Sequence, residues 1–190
     1  MISDFQLFAV TAPGLEEICA AELRGMVSGE VVPEAGGVAF SGGLREVYLV
    51  NLGLRTASRV LVRIGSIRCR DFPSLFQKAL RLPWGRFIRP GAPLTVRASS
   101  RASRLVHTGR IAETVMAAVS RSLGHPPPVS ALPEQLIVAR FDGDECLLSV
   151  DSSGALLHRR GYRQEQGEAP LRETLAAGIL MVLGWDGKTP

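Results

Sequence analysis

The chain has 190 residues, of which 46% are hydrophobic and 21% charged, and both fractions are ordinary for a folded protein with substantial cores. It contains no apolar run near the roughly 20 residues that span a bilayer and starts without a basic signal region, so we expect neither a membrane span nor secretion. Three scattered cysteines lack metal-ligand spacing, which indicates reduced thiols in a cytoplasmic protein without a metal site, with Cys19 and Cys146 in core positions.

The net charge of +4 is unevenly distributed along the chain. Residues 1–67 carry five Arg or Lys and seven Asp or Glu, a net charge of −2. Residues 68–163 carry 15 Arg or Lys and seven Asp or Glu, a net charge of +8. Residues 164–190 carry two Arg or Lys and four Asp or Glu, a net charge of −2. A GC-rich genome would also produce many arginines, but it does not explain their position. A basic block between two acidic ones favours a polyanion-binding module within a larger architecture.

Residues 1–66 follow the order β-α-β-β-α-β, which is typical of a ferredoxin-like domain. Alternation in the last strand predicts that Leu61 faces outward. Glu16 and Glu17 are adjacent on a helix and point in different directions, so we expect solvated carboxylates rather than a catalytic pair. The predicted strands span residues 5–10, 30–32, 37–40 and 58–64, and the predicted helices span residues 14–26 and 44–54.

The basic middle of the chain has its own set of start and stop signals. Asp71 is a suitable N-cap for a helix over residues 71–82, and Gly124 is a suitable stop for a helix that begins near residue 108. A strand is predicted between these helices, at residues 93–99. Asp142–Gly143 is a strong turn signal, which predicts a hairpin over residues 135–151.

The candidate binding site is the loop and first helical turn after the strand at residues 93–99. Free N–H groups at a helix N-terminus bind phosphate oxygens, and arginine adds bidentate contacts. Such a loop is also a common solvated connection, and His107 has no nucleophile or carboxylate at a recognisable spacing, so we expect no catalytic residue. The predicted binding residues here are Ser99, Ser100, Arg101, Ser103, Arg104, His107, Thr108 and Arg110.

A second basic cluster, LHRRGYR at residues 157–163, adds Arg159, Arg160, Tyr162 and Arg163 to the predicted polyanion-binding set. Tyr162 could stack on a base or pack as an aromatic side chain at a domain edge. A polar joint follows at residues 164–167, and a helix is predicted at residues 171–183. Since little sequence follows that helix, we expect its apolar face to be underburied or covered by a neighbouring molecule.

Three groups of segments resemble the N-terminal part of the bacterial THUMP-domain 23S rRNA guanine-N(2)-methyltransferases of the RlmL type. They are APGLEEICAAEL (residues 12–23), GGVAFSG with LRTASRVLVRIG (36–42 and 54–65), and LHRRGYR with GEAPLRETLAA (157–163 and 167–177). The resemblance implies an α+β chain of three parts. These are an N-terminal ferredoxin-like domain (1–66), a THUMP RNA-binding domain (67–156), and a linker with the first helix of a truncated Rossmann-like methyltransferase domain (157–190).

The resemblance also implies S-adenosylmethionine as the cofactor of the full-length parent enzyme and 23S rRNA as its RNA partner. The family's glycine-rich cofactor loop and base-holding motif do not occur in these residues. We therefore expect a non-catalytic fragment that binds no cofactor alone and partners the methyltransferase domain. Residues expected to border the cofactor in the full enzyme are Ala169, Pro170, Leu171, Arg172 and Glu173.

Three alternatives stay open at this point. The chain could be a module of a tRNA-modifying THUMP enzyme, or a protein-interaction scaffold whose acidic N-terminal domain docks a partner. An independent small-molecule enzyme has little support, because no nucleophile–base or metal arrangement is visible in the sequence.

Overall fold

The structure, a computed structural model, describes residues 4–89, 91–124, 135–161 and 168–185. These residues form seven β-strands and five α-helices, interleaved along the chain, so the α+β class predicted from the sequence is confirmed. The chain divides into two compact units: residues 1–62 with 155–190, and residues 63–154.

The first unit has the β-α-β-β-α-β order of a ferredoxin-like domain. Its strands are ordered β2-β3-β1-β4, and β3 pairs antiparallel with both β1 and β2. The core includes Leu7, Leu23 and Val50, none of which is exposed. The elements are β1 (Phe5–Thr11), α1 (Glu16–Arg24), β2 (Val31–Glu34), β3 (Gly37–Gly42), α2 (Leu44–Gly53) and the first half of β4 (Ala57–Arg68).

The second unit begins in the second half of β4. Its strand order is β4-β7-β6-β5, with β5 parallel to β6 and β6 antiparallel to β7. The remaining elements are α3 (Phe72–Leu80), a 3-10 helix (Trp84–Arg86), β5 (Leu94–Arg101), α4 (Thr108–Leu123), β6 (Gln135–Asp142) and β7 (Glu145–Asp151).

One face of the second unit's sheet is covered by helices, and the other is mixed: Leu136 is buried and Val138 half-buried there, whereas Arg97, Ser99 and Arg140 are exposed. On β6, Ile137, Ala139 and Phe141 are buried in a core shared with α3 and α4, whereas Arg140 is exposed. Alternate side chains of a strand point to opposite faces. The residues of β5 and β6 that alternate with the buried ones therefore lie on the face away from the helices.

One expectation about the first unit is wrong, and a second holds in part. Leu61 is only 7% exposed rather than facing outward. Its neighbours Val60 and Val62 are also buried, so both faces of β4 are covered at this point. Glu16 is half-buried, and its carboxylate accepts the N–H groups of Gly14 and Gly36, whereas Glu17 is exposed as predicted.

All three cysteines are buried, including Cys69, which the sequence did not place in a core. Burial raises the pKa of Cys19 to about 11 and that of Cys146 to about 12. Burial is also the main cause that raises the pKa of Cys69. These thiols are therefore protonated at neutral pH and serve as small apolar core side chains.

The last helix, α5 (Glu173–Val182), belongs to the first unit and packs on α1 through a narrow contact. Thr174 and Gly178, one turn apart, are buried, and an ideal Cβ on Gly178 would lie 2.7 Å from Leu15 Cδ2. The expected underburied apolar surface is confirmed, because the large apolar side chains around this contact are 40–74% exposed: Leu171, Ile179, Leu180, Val182, Leu183 and Trp185.

Candidate nucleic-acid interface

The second unit contains a long stretch of basic residues without any acidic ones. Residues 72–112 include eight Lys or Arg and no Asp or Glu. They comprise α3, the 3-10 helix, β5 and the start of α4. Any carboxylate near these cations must come from elsewhere in the fold, and the turn between β6 and β7 brings two to the loop after β5.

The first carboxylate of that turn pairs with Arg101. Its guanidinium donates to both oxygens of Asp142, over 2.7 and 3.3 Å, and the Gly143 N–H donates to the Arg101 carbonyl over 2.9 Å. The hydrogen bond and the opposite charge raise the pKa of Arg101 and lower that of Asp142. The positive charge of Arg101 is thus largely compensated within the protein.

The second carboxylate fixes the loop after β5. Asp144 accepts the Nε–H of Arg70 over 2.7 Å and the backbone N–H of Arg104 over 3.3 Å. These bonds, that from Arg70 first, hold the pKa of Asp144 below its ordinary value. Arg104 is exposed, and this contact anchors its backbone.

The two serines of the loop are engaged within it. Ser100 Oγ donates to the Leu105 carbonyl over 2.6 Å, and the Leu105 N–H donates to Ser103 Oγ over 3.1 Å. Leu105 is 4% exposed and anchors the loop in the core. Ala102, at φ 53°, adopts the left-handed conformation that costs a non-glycine residue roughly 1–2 kcal/mol. Ser100 and Ser103 therefore shape the loop more than they line a surface.

Four of the predicted residues present exposed side chains around the start of α4: Arg104, His107, Thr108 and Arg110. His107 is the N-cap residue, and its side chain makes no capping hydrogen bond. The first N–H groups of a helix have no intrahelical acceptor and carry the positive end of its dipole. The Arg110 guanidinium lies 4.3 Å from the centre of the Phe72 ring, a cation–π contact that restricts its position.

Sequence reasoning missed two arginines on the open face of the sheet. Arg97 precedes Ser99 by two residues on β5, and Arg140 is the register partner of Ser99 on β6. All three residues are exposed. The period of two along β5, which places Arg97, Ser99 and Arg101 on one face, was the signal that could have found Arg97. Arg140 could be placed beside Ser99 only once the pairing of β5 with β6 was known.

The second predicted cluster lies in the other unit. Arg160 donates to the carbonyl oxygens of Asn51, Leu52 and Leu54 at the C-terminal end of α2, where a cation interacts favourably with the helix dipole. Arg159 is exposed. Tyr162 and Arg163 lie outside the described residues. The predicted residues from Ser99 to Arg110 thus lie together in the second unit. Arg160 instead caps α2 in the first unit.

The residues expected to border a cofactor precede or open α5. Ala169, Pro170, Leu171 and Arg172 are exposed, and Glu173 is the half-buried first residue of the helix. Across the described ranges, no group of three or more His, Cys, Asp or Glu is arranged to hold a metal ion, and no helix is long and apolar enough to cross a membrane.

Comparisons with known proteins assign both units. Residues 6–61 match the RlmL ferredoxin-like domain, and residues 69–151 match the THUMP domain. A ribosomal RNA large subunit methyltransferase K/L of Methylococcus capsulatus is 37% identical over 190 residues, which cover 97% of this chain and 26% of that protein.

Two solved structures share the fold at a TM-score of 0.88. One is a predicted N6-adenine-specific DNA methylase from Listeria monocytogenes, 31% identical, with 97% of this chain and 50% of that chain covered. The other is a putative methyltransferase complexed with SAH, 30% identical, with 100% of this chain and 52% of that chain covered.

The chain spans about a quarter of the length of the Methylococcus relative and about half of each solved structure. The match to the RlmL ferredoxin-like domain lies in the first compact unit, and the match to the THUMP domain lies in the second. The chain belongs to the THUMP-domain proteins and corresponds to the ferredoxin-like and THUMP portion of the RlmL-type methyltransferases.

Proposed function

We propose that the chain is the RNA-binding portion of an S-adenosylmethionine-dependent rRNA methyltransferase. The relative from Methylococcus is named for methylation of large-subunit ribosomal RNA, and one solved neighbour is complexed with SAH. In the finer form of the proposal the RNA is 23S rRNA, the methylated atom is guanine N2, and the reaction takes place in the cytoplasm. Binding of the methyl donor and its transfer belong to a domain outside these residues.

The observation that carries the proposal is the acid-free basic stretch, residues 72–112, and the way the THUMP unit presents it. The unit's carboxylates Asp142 and Asp144 anchor the loop after β5. Arg104 and Arg110 are exposed next to the start of α4. Helix N-termini and arginines favour the same ligand, a phosphate group.

The chemistry of the surface favours recognition of the RNA backbone over base stacking. In the described part of the second unit, Phe72, Phe76 and Phe87 are half-buried, and Trp84 and Phe141 are buried. Sequence-tolerant binding to single strands relies on exposed aromatic platforms. Exposed arginines on the loop after β5 and at the start of α4 instead suit the phosphates of a structured RNA, whose shape is read through the backbone.

The test is a binding titration of the chain with a structured piece of 23S rRNA between low and moderate salt. The affinity should fall steeply as salt rises, because each neutralised phosphate releases counterions. The R104Q/R110Q variant should reduce the slope of log affinity against log salt by about 0.7–0.9 for each arginine removed. The R24Q/R45Q variant removes the same charge from the first unit and should leave the slope unchanged. Absence of binding, or binding that ignores salt, would refute the proposal.

The exposed apolar surface of α5 supports a second part of the proposal, docking of the catalytic domain. A groove of about 720 Å³ lies beside this surface and is lined by Met26, Gly53, Met181 and Val182, among others. Exposed apolar surfaces of this kind mark protein contacts. The same observation favours the scaffold alternative.

A methyltransferase domain supplied in trans should bind the chain, and I179S/L183S should weaken that binding. If R104Q/R110Q weakens it equally, the docking surface has been misassigned. Retained docking without any RNA binding by the wild-type chain would favour the scaffold.

A further inference from the structure

We infer that a second arginine cluster, at the C-terminal ends of α3 and α4, is a further contact surface for the same RNA molecule. This end patch consists of Arg81, Arg86, Arg89 and Arg121, all exposed. The inference rests on the proposed RNA-binding function and extends it to a surface at the other end of the helix pair from the loop after β5.

Two buried side chains fix the backbone that carries three of these arginines. Trp84 is fully buried, and its indole Nε1–H donates to the Ala79 carbonyl over 2.7 Å. Ile88 is 2% exposed, and its N–H donates to the Trp84 carbonyl over 2.9 Å. The segment between Arg81 and Arg89 is therefore held against the core while its cations face solvent.

The fourth arginine joins them through the packing of α4. An ideal Cβ on Gly85 would lie 4.0 Å from Leu123 Cδ2, so the 3-10 helix lies against the last turn of α4. Arg121 is in that last turn. At the opposite ends of the same helices, Arg110 lies over Phe72. The helix pair thus carries arginines at both ends.

Helix-dipole effects account for only part of the end patch. Arg81 and Arg121 lie at the C-terminal ends of α3 and α4, where a cation is favourable in any protein. Arg89 has no such position, and no described carboxylate pairs with Arg81, Arg89 or Arg121. The acid-free stretch around the 3-10 helix leaves this end of the unit positively charged. Exposed cations on a fixed backbone, with no described carboxylate paired to Arg81, Arg89 or Arg121, are suited to phosphate contacts.

The length of α4 determines what kind of RNA can use both surfaces. A helix of 16 residues is about 24 Å long at 1.5 Å per residue. An RNA that contacts both ends must extend over a comparable distance along the helix pair. The ligand is therefore an extended, structured RNA segment that lies along α3 and α4.

Salt-dependence measurements with the full chain and a 23S rRNA hairpin test this inference. R81Q/R89Q should reduce the salt slope by about 0.7–0.9 per arginine, and its effect should add to that of R104Q/R110Q. R121Q, which removes one arginine, should reduce the salt slope by about 0.7–0.9. The charge-preserving R81K/R89K variant should retain the wild-type slope, and R24Q/R45Q is the control for net charge.

The outcomes separate the inference from the proposed function. If the wild-type chain does not bind RNA in a salt-dependent way, the proposed function fails and the inference fails with it. If R104Q/R110Q lowers the slope but R81Q/R89Q and R121Q do not, only the end patch is overturned. Two RNA molecules bound per chain would show that the surfaces act separately, which also overturns the inference.

Discussion

The Asp144 carboxylate accepts the backbone N–H of Arg104 over 3.3 Å and thereby holds the loop after β5 without pairing with the Arg104 side chain. An acidic residue within a basic surface here holds the backbone of an arginine in place. The Asp144 carboxylate also accepts the Nε–H of Arg70 over 2.7 Å, which compensates its negative charge. The arrangement explains how carboxylates and arginines coexist in the candidate interface.

The first prediction concerns this contact. D144A should speed hydrogen exchange at the Arg104 amide, because the loop loses its side-chain acceptor. Protonation of the Asp144 carboxylate should also speed hydrogen exchange at the Arg104 amide. The folded pKa of Asp144 is lowered, so its contribution is complete above the ordinary carboxyl value of about 3.9 and is lost as pH falls through the folded value. E113A, at an exposed carboxylate on α4, is the control. An unchanged Arg104 exchange rate in D144A would count against the assigned role.

Features encoded by neighbouring residues were predictable from the sequence. Asp71 caps α3 by accepting the Ser74 N–H over 2.7 Å, as its position before Pro73 indicated. Gly124 ends α4 at φ 79°, a conformation that favours glycine. These local signals gave the element order and, with the strand alternation, most of the fold.

Side-chain partners distant in sequence were not predictable. Arg160 looked like a phosphate ligand because its neighbours are basic, but it caps α2 through carbonyls including that of Leu54, which is 106 residues away. Glu22 on α1 accepts the hydroxyl of Thr56 over 2.7 Å in a partly buried contact, from a residue 34 positions away. A cation or carboxylate in a sequence does not specify its partner, so site assignments from charge alone were incomplete.

The second prediction concerns the support of the end patch. W84F removes the indole N–H and part of a fully buried ring, while the Ala79 carbonyl keeps the Leu82 N–H at 3.2 Å. We expect a loss of roughly 1–3 kcal/mol in the free energy of unfolding from the lost hydrogen bond and the lost packing together. The same substitution at Trp185, which is 48% exposed, should stay within about 0.5 kcal/mol. Chemical denaturation measures both. Equal effects of the two substitutions would mean that the Trp84 hydrogen bond contributes little.

The third prediction concerns His158, in the segment that returns to the first unit. Its Nδ1 is buried without a partner among the described atoms, and burial, opposed by the charge of Glu173, lowers its pKa. The unfolded state therefore takes up a proton near pH 6.5 while the folded state does not, so stability should fall as pH drops through that value. Thermal unfolding of H158Q should depend less on pH between neutral and mildly acidic conditions. H107Q, at an exposed histidine, should behave like the wild type.

The fourth prediction concerns the attachment of α5. Because a Cβ on Gly178 would lie only 2.7 Å from Leu15 Cδ2, and Leu15 is itself 9% exposed, a large side chain there cannot be accommodated without separating α5 from α1. G178L should therefore increase hydrogen exchange throughout α5, even though leucine has a higher helix propensity than glycine by close to 1 kcal/mol. I179L changes a neighbouring residue that is 50% exposed and should leave the exchange unaffected. Slower exchange in G178L would show that the helix propensity of leucine outweighs the contact between Gly178 and Leu15. The attachment of α5 would then not depend on that contact.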